Sequence, residues 1–170
     1  PMRVSAYVMD SRAGSTINAC AACLHDVVED CYANTEHNII KNHNFPDNLF
    51  ESFLTKNPRI PSEVGKEIFK RVMLLTHSWK LSKKDKKVDS YTRIKECGIP
   101  DVAVIKFCDR LDNLISIPYC FTPDGQKYYV EDTNMMIDYL GTIVANRDIE
   151  IYNKLMLTLK EIKNICGIEG

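Results

Sequence analysis

Four ionisable side chains stand close together in the run His25-Asp26-Val27-Val28-Glu29-Asp30, which follows an apolar stretch of helical spacing. In a continuous helix, His25 and Glu29 share one side and so do Asp26 and Asp30, because residues four apart are surface neighbours. A buried charge without a partner is costly, so this cluster requires a metal ion, a counter-ion or water. One histidine with three carboxylates suits a divalent cation and an activated water molecule.

A second set of polar residues lies in the apolar segment around Val104 to Leu114. Asp109, Asn113 and Ser116 have the spacing of one helix face. Lys106 has two interpretations, either a phosphate contact or a side chain that extends to solvent. Two apolar helices that each carry regularly spaced polar groups predict a site built between helices.

Apolar residues at helical spacing, with caps and breakers between them, predict the elements that position these groups. The predicted helices are Pro1 to about Met9, a helix capped by Ser15 or Thr16 that carries His25, a short helix near Asp47–Leu54, a helix from Ser62 towards Trp79, Tyr91 to Cys97, a helix capped by Asp101 that carries Asp109, about Val130 to Ala145, and about Asp148 to Cys166. Strand patterns are nearly absent. The expected fold is therefore an all-α bundle of roughly seven helices.

Two segments between these helices are predicted to be irregular. Lys80 to Asp89 reads as a charged loop, whose lysines either form solvated surface or attract a polyphosphate. Phe121 to Gly125 has the composition of a turn.

Length and composition limit the class of protein. The 170 residues suit one domain, and the 45% hydrophobic and 26% charged fractions are ordinary for a globular protein. The net charge of -1 provides no basic field for long nucleic acid, and no apolar stretch has the length of a membrane span. The seven cysteines are odd in number, and several lie in apolar helical stripes. We therefore expect reduced core thiols in a cytoplasmic protein.

The two polar segments resemble the HD-domain metal-dependent phosphohydrolases. The closest resemblance is to the (p)ppGpp hydrolase domain of RelA/SpoT proteins and their small stand-alone homologues. In that family the two helices read approximately A-L-L-H-D-x-x-E-D and V-K-L-A-D-R-L-x-N. Here they read Ala-Cys-Leu-His25-Asp26-Val-Val-Glu29-Asp30 and Val-Ile-Lys106-Phe-Cys-Asp109-Arg-Leu-Asp-Asn113.

The resemblance implies an HD-domain helical bundle over residues 1–170 and a set of residue roles. His25, Asp26 and Asp109 would bind the metal, commonly Mn²⁺ in this family, although their donor types also suit other divalent metals. Glu29 and Asp30 would orient the attacking water or carry its proton. The nucleotide-binding residues would be Asn113, Ser116 and Lys106.

Two departures from the family pattern are expected. The first histidine ligand of the family would precede Pro1, so we expect either that the natural protein extends beyond Pro1 or that this chain lacks one metal ligand. A region of about 31–61 is longer than the usual connection between bundle helices and is interpreted as an inserted loop region.

The resemblance implies a manganese-dependent (p)ppGpp 3'-pyrophosphohydrolase of the cytoplasm, which would release pyrophosphate from a small nucleotide. One alternative is hydrolysis of another nucleotide phosphate or phosphodiester. A second alternative is a non-catalytic module that binds a nucleotide on the same fold.

Overall fold

The computed structural model describes residues 2–28, 45–77 and 81–168. The regular elements within these ranges are eight α-helices, so the predicted all-α bundle is confirmed for this part of the chain. They are α1 Met2–Asp10, α2 Thr16–Leu24, α3 Phe45–Lys56, α4 Ser62–Leu75, α5 Lys83–Glu96, α6 Pro100–Cys120, α7 Pro123–Arg147 and α8 Ile149–Cys166. No helix in the described ranges combines the length and the apolar character that crossing a bilayer requires.

Helix α6, which carries Asp109, is the central helix of the bundle. It packs against α1, α2, α4, α5, α7 and α8. Residues 102–108 are all buried, which is expected for a helix that is apolar on nearly every side. Lys106 is the one charged residue in that buried stretch. The core therefore holds Asp109 on an element that is enclosed from several directions.

Helix α2 ends at the first residue of the candidate site. The helix begins after Ser15, whose side chain caps it as predicted, and it stops at Leu24 with His25 as the C-cap residue. The chain forms a turn there and is helical again at 27–28. The predicted continuous helix is therefore wrong. The His25 ring bonds the Ala22 carbonyl at 2.7 Å, so a side chain occupies a backbone acceptor where the helical ladder stops.

The charged stretch that was expected to be a loop is helical from Lys83 onward. Ser82 caps α5, because its Oγ accepts a hydrogen bond from the Asp85 amide at 3.2 Å. Further along the same helix, Lys87 and Tyr91 contact a carboxylate on α7. A polar stretch without apolar periodicity thus forms a helix through its cap and its contacts with a neighbouring helix.

The start of α6 differs from the prediction. Ile99 is the N-cap residue and makes no capping bond with its side chain. Asp101, predicted as the cap, instead accepts hydrogen bonds from Asn18 at 3.0 Å and from Arg147 at 2.6 Å. These bonds connect α6 to α2 and to α7, so this carboxylate fixes the packing of three helices.

Helix α7 begins earlier than the predicted start near Val130. Its N-cap is Thr122, whose hydroxyl accepts from the Gly125 amide at 3.3 Å. Most of the predicted turn at Phe121–Gly125 is therefore the first turn of the helix. Pro123 explains the ambiguity, because proline suits both turns and the first position of a helix.

The region predicted as an insertion, about 31–61, contains α3. This helix confirms the short helix expected near Asp47–Leu54, and it packs against α4. The Phe50 and Phe69 rings meet at this interface with 6.1 Å between their centroids. Residues 29–44 lie outside the described residues.

Candidate metal and phosphate site

His25 and Asp109 meet where the end of α2 reaches the middle of α6. His25 Nε2 lies 3.1 Å from Asp26 Oδ1 and 3.2 Å from Asp109 Oδ1. The His25 side chain is 4% exposed, whereas the Asp26 side chain is 48% exposed. The structure thus brings the three predicted metal ligands together, with a buried imidazole between two carboxylates and Asp26 on the solvent side.

The two oxygens of Asp109 have different partners. Oδ1 faces His25 and also accepts a hydrogen bond from Asn113 Nδ2 at 3.1 Å. Oδ2 accepts from Lys106 Nζ at 3.0 Å. Both neighbours were predicted as nucleotide contacts, and both contact this carboxylate. Asn113 and Lys106 therefore orient Asp109, one from each side of the carboxylate.

The contacts shift the pKa values of both partners. Burial alone would raise the pKa of Asp109, but the Lys106 ammonium and the His25 ring outweigh it and hold that pKa below its usual range. Burial alone would lower the pKa of His25, but its hydrogen bond to Asp109 and the charges of Asp109 and Asp26 raise it overall. A protonated His25 between two carboxylates is therefore favoured in this arrangement.

The second ring nitrogen of His25 decides which atom can bind a cation. Nδ1 lies 2.7 Å from the Ala22 carbonyl oxygen, which can only accept, so Nδ1 carries a proton. Nε2 is left to carry the other proton or to donate its lone pair to a metal. One imidazole nitrogen with the oxygens of Asp26 and Asp109 suits manganese, iron or zinc. A divalent cation would replace the Nε2 proton.

In this structure the His25 ring contacts the carboxylates of Asp26 and Asp109 directly. Across the described ranges, no group of three or more His, Cys, Asp or Glu side chains is set up to hold a metal ion as it stands. The donor types fit a metal, and binding one would require the ring of His25 to release its Nε2 proton.

Three other predicted site residues have different outcomes. Ser116 donates to the Asn113 carbonyl at 2.8 Å, a bond within its own helix. Glu29 and Asp30, predicted to handle the water proton, lie outside the described residues. The predicted i, i+4 relationship of His25 with Glu29 assumed a continuous helix, and α2 ends at Leu24.

A buried polar cluster next to the site was not predicted as a unit. Asp132 on α7 accepts hydrogen bonds from Arg110 at 2.6 Å, Lys87 at 2.9 Å and the Tyr91 hydroxyl at 3.0 Å. Arg110 directly follows Asp109 in the chain and is 2% exposed. The pairing of Arg110 with a carboxylate fits a buried charge. The signal in the sequence that could have indicated this cluster is Asp132, an aspartate close to apolar residues on a predicted helix.

Several cations lie near the buried imidazole of His77. Burial, followed by the nearby charges of Lys106 and Lys87, lowers the pKa of His77 to about 3. Burial also lowers the pKa of Lys87, and the charges of Arg110 and Lys106 act in the same direction. Lys106, beside Asp109, and Lys87, beside Asp132, thus lie near enough to repel each other, with a neutral His77 near both.

Comparison with known proteins leaves the family open. No protein-family model matches the chain, and no curated protein matches it. The HD-domain resemblance remains a prediction that rests on the motif residues.

Proposed function

We propose that this chain is a metal-dependent phosphohydrolase that acts on a small nucleotide. The observation that carries the proposal is the convergence of His25 and Asp26 with Asp109, although Asp109 lies 84 residues after His25. His25 Nε2 lies within 3.2 Å of one oxygen of Asp26 and one oxygen of Asp109 at the end of a helix. Asn113 and Lys106 add two hydrogen-bond donors at the same carboxylate.

The chemistry follows from the donor set. His25, Asp26 and Asp109 would hold the cation, which when bound supplies a more acidic water and polarises a phosphoryl oxygen. Glu29 and Asp30 would accept and pass on the proton of that water, as the resemblance implies. Asn113 would keep Asp109 oriented, and Lys106 would offer its ammonium to a phosphoryl oxygen.

The specific substrate in the proposal is (p)ppGpp, with attack at the 3'-diphosphate and release of pyrophosphate. It rests on the resemblance of the motif residues, and hydrolysis of another nucleotide phosphate or phosphodiester uses the same chemistry. A cytoplasmic location belongs to the same proposal. It is supported by six free cysteines in the described ranges, which are Cys20, Cys23, Cys97, Cys108, Cys120 and Cys166.

The test is a measurement of phosphate and pyrophosphate release from a nucleotide panel. The panel contains ppGpp, pppGpp, GTP, deoxynucleoside triphosphates, NADPH and cyclic nucleotides, each assayed with manganese and again after chelation. Manganese-dependent pyrophosphate release from ppGpp and pppGpp supports the specific proposal. Turnover of another member retains the mechanism and replaces the substrate. Nucleotide binding without any turnover would assign the chain to the non-catalytic alternative.

A further inference from the structure

Lys106 is a buried cation that forms an ion pair with Asp109, a predicted metal ligand. It is 6% exposed, and its Nζ lies 3.0 Å from Asp109 Oδ2. A lysine is rarely buried unless it is paired, because removing its charge from water is costly. Asp109 therefore compensates Lys106 in the structure, while its other oxygen faces His25.

Metal binding would change the charge at this point. A divalent cation would bring two positive charges to Asp109, whose Oδ2 already pairs with the Lys106 ammonium at 3.0 Å. Asp109 would then neutralise a metal on Oδ1 while its Oδ2 still faced an ammonium. The metal would weaken the attraction between Asp109 and Lys106, and it would repel the Lys106 ammonium.

The carboxylate of the adjoining cluster already pairs with two cations. Asp132 accepts from Arg110 and Lys87. Lys87 and Lys106 both act on His77 to disfavour its protonation, so the neighbourhood is already rich in positive charge. An anion that binds near Lys106 would relieve this excess once a metal is bound.

We propose that Lys106 is a shared counter-ion, which holds Asp109 when the metal is absent and turns to the phosphoryl group of a substrate when the metal is bound. This inference rests on the proposed function and adds a coupling to it. A metal and a phosphate-type dianion bind cooperatively, and Lys106 carries the coupling. By linkage, each ligand tightens the other by the same factor.

The experiment is a manganese titration followed by electron paramagnetic resonance, which reports free Mn²⁺ independently of activity. Wild-type protein is titrated with and without inorganic phosphate, and a protein-free titration corrects for manganese bound by phosphate itself. We expect phosphate to tighten manganese binding by about fivefold or more, which is the lower end of typical couplings. The variant K106M should bind manganese more tightly than wild type without phosphate, and phosphate should then change its affinity less than about twofold.

Two further variants make the outcome specific. K106R keeps a cation at the position and should retain the coupling, whereas K87M removes a buried lysine that pairs with Asp132 and should leave the coupling in place. Where K106M does not fold, as judged by circular dichroism, K106Q takes its place.

The outcomes separate this inference from the function on which it rests. Wild-type protein that binds manganese without any effect of phosphate would overturn the coupling and leave the metal site intact. Coupling that persists in K106M or K106Q would also overturn the role of Lys106. A wild-type chain that binds no manganese would overturn the manganese-dependent function and the coupling together.

Discussion

His25 Nε2 lies 3.2 Å from Asp109 Oδ1, which joins the C-terminal end of α2 to the central helix of the bundle. This contact connects the two segments of the sequence in which polar residues interrupt an apolar pattern. It also makes the site depend on the packing of α2 against α6. The side chains that would do chemistry are thus part of the core contacts that hold the fold.

Replacing Asp109 by asparagine should abolish metal binding. The amide keeps the shape of the side chain but removes the charge that would bind a cation beside His25. Changing a residue that hydrogen-bonds to a metal ligand typically costs about 10–100-fold in affinity, so loss of a ligand charge should cost at least about 100-fold. Manganese titration of D109N by electron paramagnetic resonance measures this loss.

Asp112 provides the control on the same helix. Its carboxylate pairs with Arg3 at 2.8 Å, and that arginine is largely exposed. D112N makes the same chemical change and should leave manganese affinity within about twofold, because Asp112 pairs with Arg3 and is not one of the proposed ligands. Equal manganese binding by D109N and wild type would contradict the proposed ligand set.

The protonation of His25 should stabilise the metal-free protein at low pH. Its pKa is raised in the fold above the ordinary 6.5, mainly because the bond to Asp109 and the charges of Asp109 and Asp26 outweigh burial. This contribution is fully present below pH 6.5 and is lost as the pH rises through the raised value. Urea unfolding of chelated wild type and H25Q should therefore differ most below pH 6.5. A difference that grows with pH would contradict the assigned contacts.

The contribution of His77 should have the opposite sign. Burial and the charges of Lys106 and Lys87 lower its pKa to about 3, so the unfolded chain takes up this proton first as the pH falls. The contribution is present above pH 6.5 and is lost between pH 6.5 and about 3, by at most about 1.4 kcal/mol per pH unit. H77Q should flatten the acid side of the stability curve measured by urea unfolding. An unchanged acid slope would count against a buried neutral imidazole.

The sequence was sufficient to predict the helices that have a regular apolar pattern. Helix α6 is apolar at helical spacing along most of its length, so both the helix and the face that carries Asp109 and Asn113 follow from local pattern. The residue types of the candidate site follow from the same two segments. The pairing of His25 with Asp109 was expected through the resemblance, and the bonds of Lys106 and Asn113 to Asp109 were not.

Features that depend on contacts between helices could not be read locally. The first turns of α5 lack apolar residues that would mark a buried face, and the helix is supported by the Ser82 cap and by contacts of Lys87 and Tyr91 with Asp132. The end of α2 was missed because Val27 and Val28 continue the apolar pattern past the break. Contacts between helices decide such cases, and the apolar periodicity of one segment carries no information about those contacts.

Asp132 should be among the residues most sensitive to substitution in the described chain. D132N keeps the shape but leaves Arg110 and Lys87 without their compensating charge inside the protein. Removing one partner of a buried ion pair costs about 3–5 kcal/mol. Urea unfolding of D132N measures the loss. The double variant R110M/D132L removes both charges and should cost less than the sum of the two single changes.

A loss below about 1 kcal/mol in D132N would show that water or another group compensates these cations. The variants also bear on the site, because Arg110 follows Asp109. Manganese affinity in D132N therefore reports whether the cluster helps to hold Asp109 in place.

Gly65 should not tolerate a side chain, because α3 and α4 approach each other through its missing Cβ. An added methyl group would lie 2.6 Å from the carbonyl carbon of Leu54, which is a backbone atom that cannot rotate away. Overpacking typically costs 1–3 kcal/mol, and a clash with backbone belongs at the upper end. We expect G65A to lower the free energy of unfolding by about 3 kcal/mol.

Gly125 is the matched control, since the nearest atoms to an added Cβ are 3.4 Å away and alanine favours helix by up to about 1 kcal/mol. G125A should be neutral or stabilising, and equal effects of the two variants in urea unfolding would contradict the close approach of α3 and α4.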